Sequence, residues 1–265
     1  MFCANLRQRG FIRITGEDAL AFLQGIISND VYKVTADNAV YACFLTPQGK
    51  YLADFFLYPV MGGLLLDVDQ SLLADLLRRL LMYKLRSKVV LEDVSAEYSV
   101  TALWGGPEKP AEAFIDPRGM DFGFRVLNSD LSGNDHYALW QMQNGLPDAQ
   151  DFERERTTML EANMDFLNGV SFDKGCYMGQ EITARMHYRA LVKKRFLPLE
   201  LLAGQEITRE TPVMRDGKHI GYILNARENF ALAVIQSEAL QGGLDCVVDG
   251  MDATIKIPAW FKQDS

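Results

Sequence analysis

Phe172-Asp173-Lys174-Gly175-Cys176-Tyr177-Met178-Gly179-Gln180-Glu181 sets two glycines around a Lys–Cys pair just before a helix-forming stretch. Gly175 and Gly179 allow positive φ or close approach of the backbone. A cysteine ahead of a helix meets exposed N–H groups and the positive end of the helix dipole. Lys174 adds a cation. Both effects favour thiolate, which makes Cys176, with Lys174 beside it, the candidate catalytic pair. The plain alternative is a small buried side chain among apolar neighbours. A Cys–His dyad is the weaker reading. Of His136, His187 and His219, only His187 is close in sequence, and it lies eleven positions down the same predicted helix.

Outward from this stretch, Gln180–Tyr188 is predicted as a short helix, and residues 148–175 before it lack regular periodicity. Beyond residue 190 the run Lys193-Lys194-Arg195 leads into strands and tight turns. Asp216-Gly217 and Asp249-Gly250 each separate extended segments, a hairpin signal. Phe230–Gln236 and Ala253–Ile257 complete an expected small antiparallel barrel.

Toward the N-terminus, Thr15-Gly16-Glu17-Asp18 reads as a capping box opening a helix with Leu20 and Leu23, ended by Gly25. Val40–Thr46 and Tyr51–Tyr58 are predicted strands joined at Pro47-Gln48-Gly49-Lys50, and Leu64–Val68 is a third. Ser71 is placed to cap a helix whose Leu72, Leu73, Leu76, Leu77, Leu80 and Leu81 share a face. Lys88–Asp93, Glu97–Trp104 and Phe122–Leu127 read as further strands, and Asp116-Pro117-Arg118-Gly119 as a turn. Asn134 is placed to cap a helix reaching about Asn144. The expected organisation is an α+β region over residues 1–190 and a β-barrel over 195–260.

The chain has 265 residues, 48% apolar and 23% charged, with a formal charge of −8. That composition suits a globular protein with a substantial core. Net acidity disfavours non-specific nucleic-acid binding, and the one dense basic run, Lys193-Lys194-Arg195, reads as a solvated face. No apolar run reaches the length of a membrane helix, and no h-region follows Arg7, Arg9 and Arg13. Cys3, Cys43, Cys176 and Cys246 are scattered with no C-x-x-C pair. This argues against a disulfide scaffold and for a reducing, cytoplasmic setting.

Lys174-Gly175-Cys176-Tyr177-x-Gly179-Gln180-Glu181, continued by Ala184-Arg185 and Arg189, resembles the K-G-C-[YF]-x-G-Q-E signature of YgfZ-type proteins. That group includes mitochondrial iron–sulfur assembly factors related to the T-protein of the glycine cleavage system. The resemblance extends through Leu23-Gln24-Gly25 with Ser28-Asn29-Asp30-Val31, Thr46-Pro47-Gln48-Gly49-Lys50, and Tyr83-Lys84-Leu85-Arg86-Ser87-Lys88-Val89. It continues through Asp116-Pro117-Arg118, Gly145-Leu146-Pro147, Gly221-Tyr222-Ile223 and Ala231-Leu232-Ala233, so it covers most of residues 5–257. Two departures stand out. Gln141 and Gln143 lie where the family often has arginine, and Ala190 where it commonly has glycine.

The resemblance implies a T-protein-like fold, a ring of three parts around a central hole, closed by the C-terminal barrel. It implies tetrahydrofolate as cofactor, held by a few polar groups at the pterin and cations at the glutamate tail. Asn29 and Asp30 are the candidates for the pterin end, with an Asx-type turn as their alternative. Arg86 and Arg118 are candidate anion contacts, against a solvated charge or ion pair, and Glu161 is a further pterin candidate. Tyr177 would shield the thiol, and Gln180 and Glu181 would anchor its loop.

The implied function is a folate-binding accessory factor for assembly or repair of 4Fe–4S proteins, including cluster enzymes that modify tRNA. Its partners would be iron–sulfur apoproteins or assembly proteins, without direct nucleic-acid or membrane binding. One thiolate cannot hold a four-iron cluster, which needs about four ligands. Cys176 would therefore be one ligand of a shared site, or a redox or transfer thiol. The rival is a folate-dependent aminomethyltransferase or demethylase of the T-protein kind. That group lacks the Lys-Gly-Cys signature and usually carries a Tyr-Thr-Gly-Glu-type stretch, absent between Glu97 and Leu127. A bacterial source implies the cytoplasm, a trimmed eukaryotic one the mitochondrial matrix.

Overall fold

Apolar runs between residues 40 and 69 fold into the strands that carry the rest of the first unit. The structure is a computed structural model describing residues 1–106, 108–129, 131, 133, 136–202 and 206–262. It divides into two compact units, Met1–Asp135 with Leu167–Ile182, and His136–Phe166 with Thr183–Ser265.

In the first unit, β1 (Phe2–Asn5), β2 (Arg9–Thr15), α1 (Ala19–Gln24), β3 (Val40–Leu45), β4 (Tyr51–Val60) and β5 (Gly63–Asp69) precede α2 (Gln70–Tyr83). They are followed by β6 (Val90–Asp93), β7 (Val100–Trp104), β8 (Phe114–Ile115) and β9 (Phe124–Leu127). The strands form a five-stranded sheet, β3-β4-β5-β2-β6, and a four-stranded one, β1-β7-β9-β8. The pairings are antiparallel, with Cys43 opposite Asp54 in β3–β4 and Ile12 opposite Leu66 in β2–β5. Helix α2 buries Leu72, Leu73, Leu76 and Leu80. Each such leucine is worth about 1.5–3 kcal/mol of apolar burial.

The core of this unit is charged as well as apolar. Asp67, fully buried in β5, accepts from Arg9 Nε at 2.5 Å and from Arg125 Nη2 at 2.9 Å. Arg118 binds Asp116 through Nε at 3.0 Å and Nη2 at 2.8 Å, with both side chains buried. The guanidiniums of Arg9, Arg118 and Arg125 all lie over the Phe56 ring, Arg125 nearest at 3.7 Å from its centroid. Asp54 accepts from Tyr41 at 3.0 Å and Tyr51 at 2.6 Å. Burial and the Asp54 charge push both phenols well above the usual tyrosine range.

In the second unit, α3 (Tyr137–Gln143) precedes the barrel. Helix α4 (Gln180–Tyr188) starts in the first unit and ends in the second. The barrel is built from β10 (Lys194–Leu201), β11 (Pro212–Arg215), β12 (Lys218–Arg227), β13 (Phe230–Gln236), β14 (Asp245–Val248) and β15 (Met251–Ile255). It closes in the order β10-β13-β12-β11-β14-β15. Leu197, Leu199, Val213, Ile223, Ile235 and Ile255 fill its interior. Asp216-Gly217 and Asp249-Gly250 turn its hairpins with positive φ at every central residue, the two-residue geometry that matches strand twist. The α+β class and the C-terminal barrel expected from the sequence are therefore present.

Several local expectations are corrected. Thr15–Asp18 makes no capping box. Helix α1 has no side-chain cap, because the Asp18 carboxylate instead accepts from the Lys88 amide at 2.7 Å. Helix α2 is capped by Asp69, which accepts from the Ser71 amide at 2.9 Å, so the helix starts one residue before Ser71. Leu81 leaves the buried face and is exposed. The strand expected over Glu97–Trp104 begins only at Val100, and the one expected from Phe122 begins at Phe124, after a 3-10 turn over Met120–Phe122. Strands β1, β2 and β8 were not read from the sequence. Asn134, expected to cap α3, lies outside the described residues.

Candidate functional site

The site is a loop, residues 168–179, stitched along the turn that follows α1. The Ser28 hydroxyl donates to Gly169 O at 2.6 Å, and Ser171 N donates to Ser28 O at 3.1 Å. Asn29 Nδ2 donates to Tyr41 O at 2.8 Å and Asn168 O at 2.7 Å. Met178 N reaches Gly25 O at 3.2 Å. The loop thus replaces water as partner for a turn whose Ile27, Ser28 and Asn29 are buried.

Lys174 closes the stitch. Its buried ammonium donates to Gln24 O, Ile27 O and Asn29 O, each at 2.8 Å. All three N–H bonds are used. Burial pulls this lysine down to about 8, and the charge of Asp30 opposes the fall. The ammonium also lies 5.1 Å from the Tyr177 ring centroid. Lys174, expected to serve the thiol, is therefore bound to the α1 turn.

Cys176 stands out by contrast. It is exposed, whereas Cys43 and Cys246 are buried and Cys3 is half-buried. Burial and Asp54 push the Cys43 thiol well up, and burial takes Cys246 to about 11. The reading of Cys176 as a small buried residue is thereby excluded. Its neighbours hold the backbone on both sides. Tyr177 is buried, yet the thiol it was expected to shield stays exposed, and Gln180 Oε1 accepts from the Tyr177 amide at 3.3 Å. Glu181 is exposed on the first turn of α4. Gly179 has φ +84°, and a Cβ there would fall 2.6 Å from Thr46 O, so glycine is required. Gly175 is open, with nothing within 4 Å of an added Cβ. Among the described residues, no group of three or more His, Cys, Asp or Glu side chains is placed to hold a metal ion.

The structure brings Lys174, Asn29, Asp30 and the cysteine loop together in the first unit. Asp30 accepts from Gln24 Nε2 at 3.0 Å and Tyr32 N at 3.1 Å, the Asx-type alternative. Arg118 is in its buried pair with Asp116, so the solvated-charge alternative is excluded. Arg86 is exposed, after Leu85 at φ +45°. Glu161 lies in the second unit, accepting from Thr158 N at 2.9 Å with Lys194 Nζ at 3.7 Å. Lys193-Lys194-Arg195 is not one solvated face, because Arg195 is buried on Asp165 at 2.7 Å. Ala190 has φ +48°, which accounts for glycine at that position in the resembling family.

As a donor set for tetrahydrofolate these residues do not fit within either unit. The Asn29 amide, the Asp30 carboxylate and the Arg118 fork are already paired inside the fold, and Arg86 stands in solvent. Asp54 and Arg125 belong to the stretches that resemble the family, but their buried pairing, and that of Asp67, was not read from the sequence, although one signal was present. A carboxylate or guanidinium inside an apolar strand implies a buried partner.

Known proteins supply the comparison. The GCVT N-terminal domain family matches residues 5–110, and the CAF17 C-terminal beta-barrel domain family matches residues 193–263. The iron–sulfur cluster assembly factor IBA57 of Homo sapiens is 31% identical, over 98% of this chain and 85% of its own length. The IBA57 homolog of Mycosarcoma maydis is 37% identical over 76% of this chain. This chain spans 58% of that fungal protein. Both are described as mitochondrial. The glycine cleavage system aminomethyltransferase T of Bartonella henselae superposes with a TM-score of 0.72 at 12% identity, covering 98% of this chain and 86% of that one. That likeness establishes the T-protein-like fold.

Proposed function

The chain belongs to the T-protein-like family of IBA57 iron–sulfur cluster assembly factors, and from that premise we propose that it serves the assembly or repair of 4Fe–4S proteins through Cys176. One observation carries the reading: Cys176 is the exposed thiol among the four cysteines, beside the open Gly175 and between the buried Lys174 and Tyr177. A rigid base presenting one accessible sulfur suits a ligand that meets cargo held by another protein. A buried thiol cannot do this.

The cluster is cargo. One sulfur supplies one of about four ligands, so the others come from a partner protein or small thiols. The step is ligand exchange. Cys176 Sγ gives up its proton, an Sγ–Fe bond forms, and the outgoing thiolate takes a proton as its own bond to iron breaks. No electron changes hands. Lys174 acts as a positioning residue that fixes the loop on the α1 turn.

The T-protein-like fold keeps a folate as the candidate small-molecule class for residues 1–190, to be held by residues other than the paired Asn29, Asp30 and Arg118. The paired state of Asn29, Asp30 and Arg118 means that no step of the proposed role passes through it. Partners are iron–sulfur apoproteins or assembly proteins, with tRNA-modifying cluster enzymes among the clients. We assign the role to the matrix for a eukaryotic source, in line with the mitochondrial relatives, and to the cytoplasm for a bacterial one.

The test is complementation in cells lacking the protein, read as activity of a 4Fe–4S enzyme. Wild type and Cys3→Ala restore activity, and Cys176→Ala does not. Full restoration by Cys176→Ala overturns the reading. Turnover of an N-methyl donor with tetrahydrofolate would favour the aminomethyltransferase alternative.

A further inference from the structure

The C-terminal end of α2 exposes side chains that the fold leaves uncovered. Met82 is 62% exposed and Leu85 84%, with Leu81 and Tyr83 also exposed. Leu85 has φ +45°, a conformation L-residues with branched side chains avoid, so the backbone holds an apolar side chain outward at a conformational cost. Scattered apolar residues are ordinary on a surface. Four within five positions, at a strained turn, form a patch.

The patch is also basic. Arg78, Arg79, Lys84, Arg86 and Lys88 stand against Asp75 alone between residues 75 and 88, in a chain of net charge −8. Arg78 and Arg79 bind Asp75, Lys88 binds Glu17, and Lys84 Nζ donates to Val89 O at 2.7 Å. Arg86 meets no partner among the described residues.

This patch is connected to the cysteine loop. The Tyr83 ring lies edge-on to Phe44 with centroids 5.8 Å apart. Phe44 is bridged to Ile27, whose carbonyl accepts from Lys174 at 2.8 Å. Leu45 and Thr46, next along from Phe44, pack on Gly179. A short series of contacts inside one unit thus joins the uncovered end of α2 to the residues that hold Cys176.

We propose that Met82, Leu85 and Arg86 are the docking surface for the protein that shares the cluster at Cys176, and that this protein presents an acidic surface studded with apolar side chains. The inference rests on the assembly reading above. Charge selects the partner class, because an uncommitted arginine on a locally basic patch complements carboxylates. The apolar group at its centre supplies the buried contact. An anionic membrane would also attract basic residues. The continuity with the cysteine loop favours a protein.

The test places a photo-crosslinking amino acid at Leu85 in the full chain, and at Met61, fully exposed on the β4–β5 hairpin, as control. The expected result is a product from Leu85, absent from Met61, with a protein that binds an iron–sulfur cluster when purified. Its crosslinked peptide is acid-rich. Combining Met82→Ser with Arg86→Glu removes the product and lowers client-enzyme activity at least tenfold, with unchanged melting temperature. Cys176→Ala keeps the product while abolishing activity, so the two claims fail separately. The docking proposal is overturned if Leu85 and Met61 give the same products, if Leu85 joins only lipid or a second copy of this chain, or if Met82→Ser with Arg86→Glu retains full activity.

Discussion

The ammonium of Lys174 and the carbonyl of Ile27 meet at 2.8 Å although they stand 147 residues apart. With the bonds to Gln24 O and Asn29 O, this closes the cysteine loop onto the turn after α1. Lys174→Met should leave three inward-facing carbonyls without a donor. An unsatisfied buried group costs about 1–3 kcal/mol. The expected result is a lower melting temperature and faster amide exchange at residues 25–29 and 171–178. Unchanged exchange in both segments would contradict the clamp.

Gly179→Ala and Gly175→Ala form a contrasting pair. At Gly179 the added methyl meets Thr46 O at 2.6 Å and φ is +84°. Strain of this kind costs on the order of 1–3 kcal/mol. Gly175 has open space, so its alanine variant should fall within about 0.5 kcal/mol of wild type. Urea denaturation of both variants measures the difference.

Asp67→Ala should be among the most damaging changes in the first unit. It leaves Arg9 and Arg125 buried without their carboxylate, a loss of roughly 3–5 kcal/mol. Asp75→Ala breaks its solvent-accessible pairs with Arg78 and Arg79 and should cost about 1 kcal/mol or less. Thermal unfolding separates the two.

Asp151 sets a pH dependence in the second unit. Burial raises its carboxyl to about 7, against the opposing bond from the Asp148 amide. The folded state then holds a proton that the unfolded state releases near 3.8, the ordinary value. This contribution is complete below about 3.8 and is lost as pH rises through 7. Asp151→Asn should flatten that slope and raise the stability of the barrel unit at pH 8 relative to wild type. Asn keeps an acceptor for the Asp148 amide, which Asp151 binds at 2.7 Å. Denaturation at pH 5 and pH 8 checks the sign.

The barrel hairpins were legible because Asp216-Gly217 and Asp249-Gly250 carry their turn geometry in the dipeptide itself. The Gln180–Tyr188 helix and strands β3 to β5 were legible from local patterning. Strand β2 was hidden because Arg9 and Arg13 interrupt its apolar pattern. Arg9 belongs there only because its side chain reaches Asp67 on β5, diagonally from its register partner Asp69, which local sequence does not reveal. Asp18 reads as the acidic partner that closes a capping box with Thr15, and the Lys88 amide claims it. Lys174 looked like a partner for Cys176, and three distant carbonyls claimed it. Local propensity was read well, and long-range pairing of polar groups was not.

Differential alkylation of the four cysteines tests the central claim most directly. The native chain is treated with iodoacetamide before and after anaerobic reconstitution with equal ferrous and ferric iron, sulfide and glutathione, the small thiol that completes the ligand set. Mass spectrometry then reads each site. The expected result is rapid labelling of Cys176 in the cluster-free chain and its protection after reconstitution, with Cys43 and Cys246 unlabelled in both. Equal labelling of Cys176 with and without the cluster would contradict its role as the cargo-binding thiol.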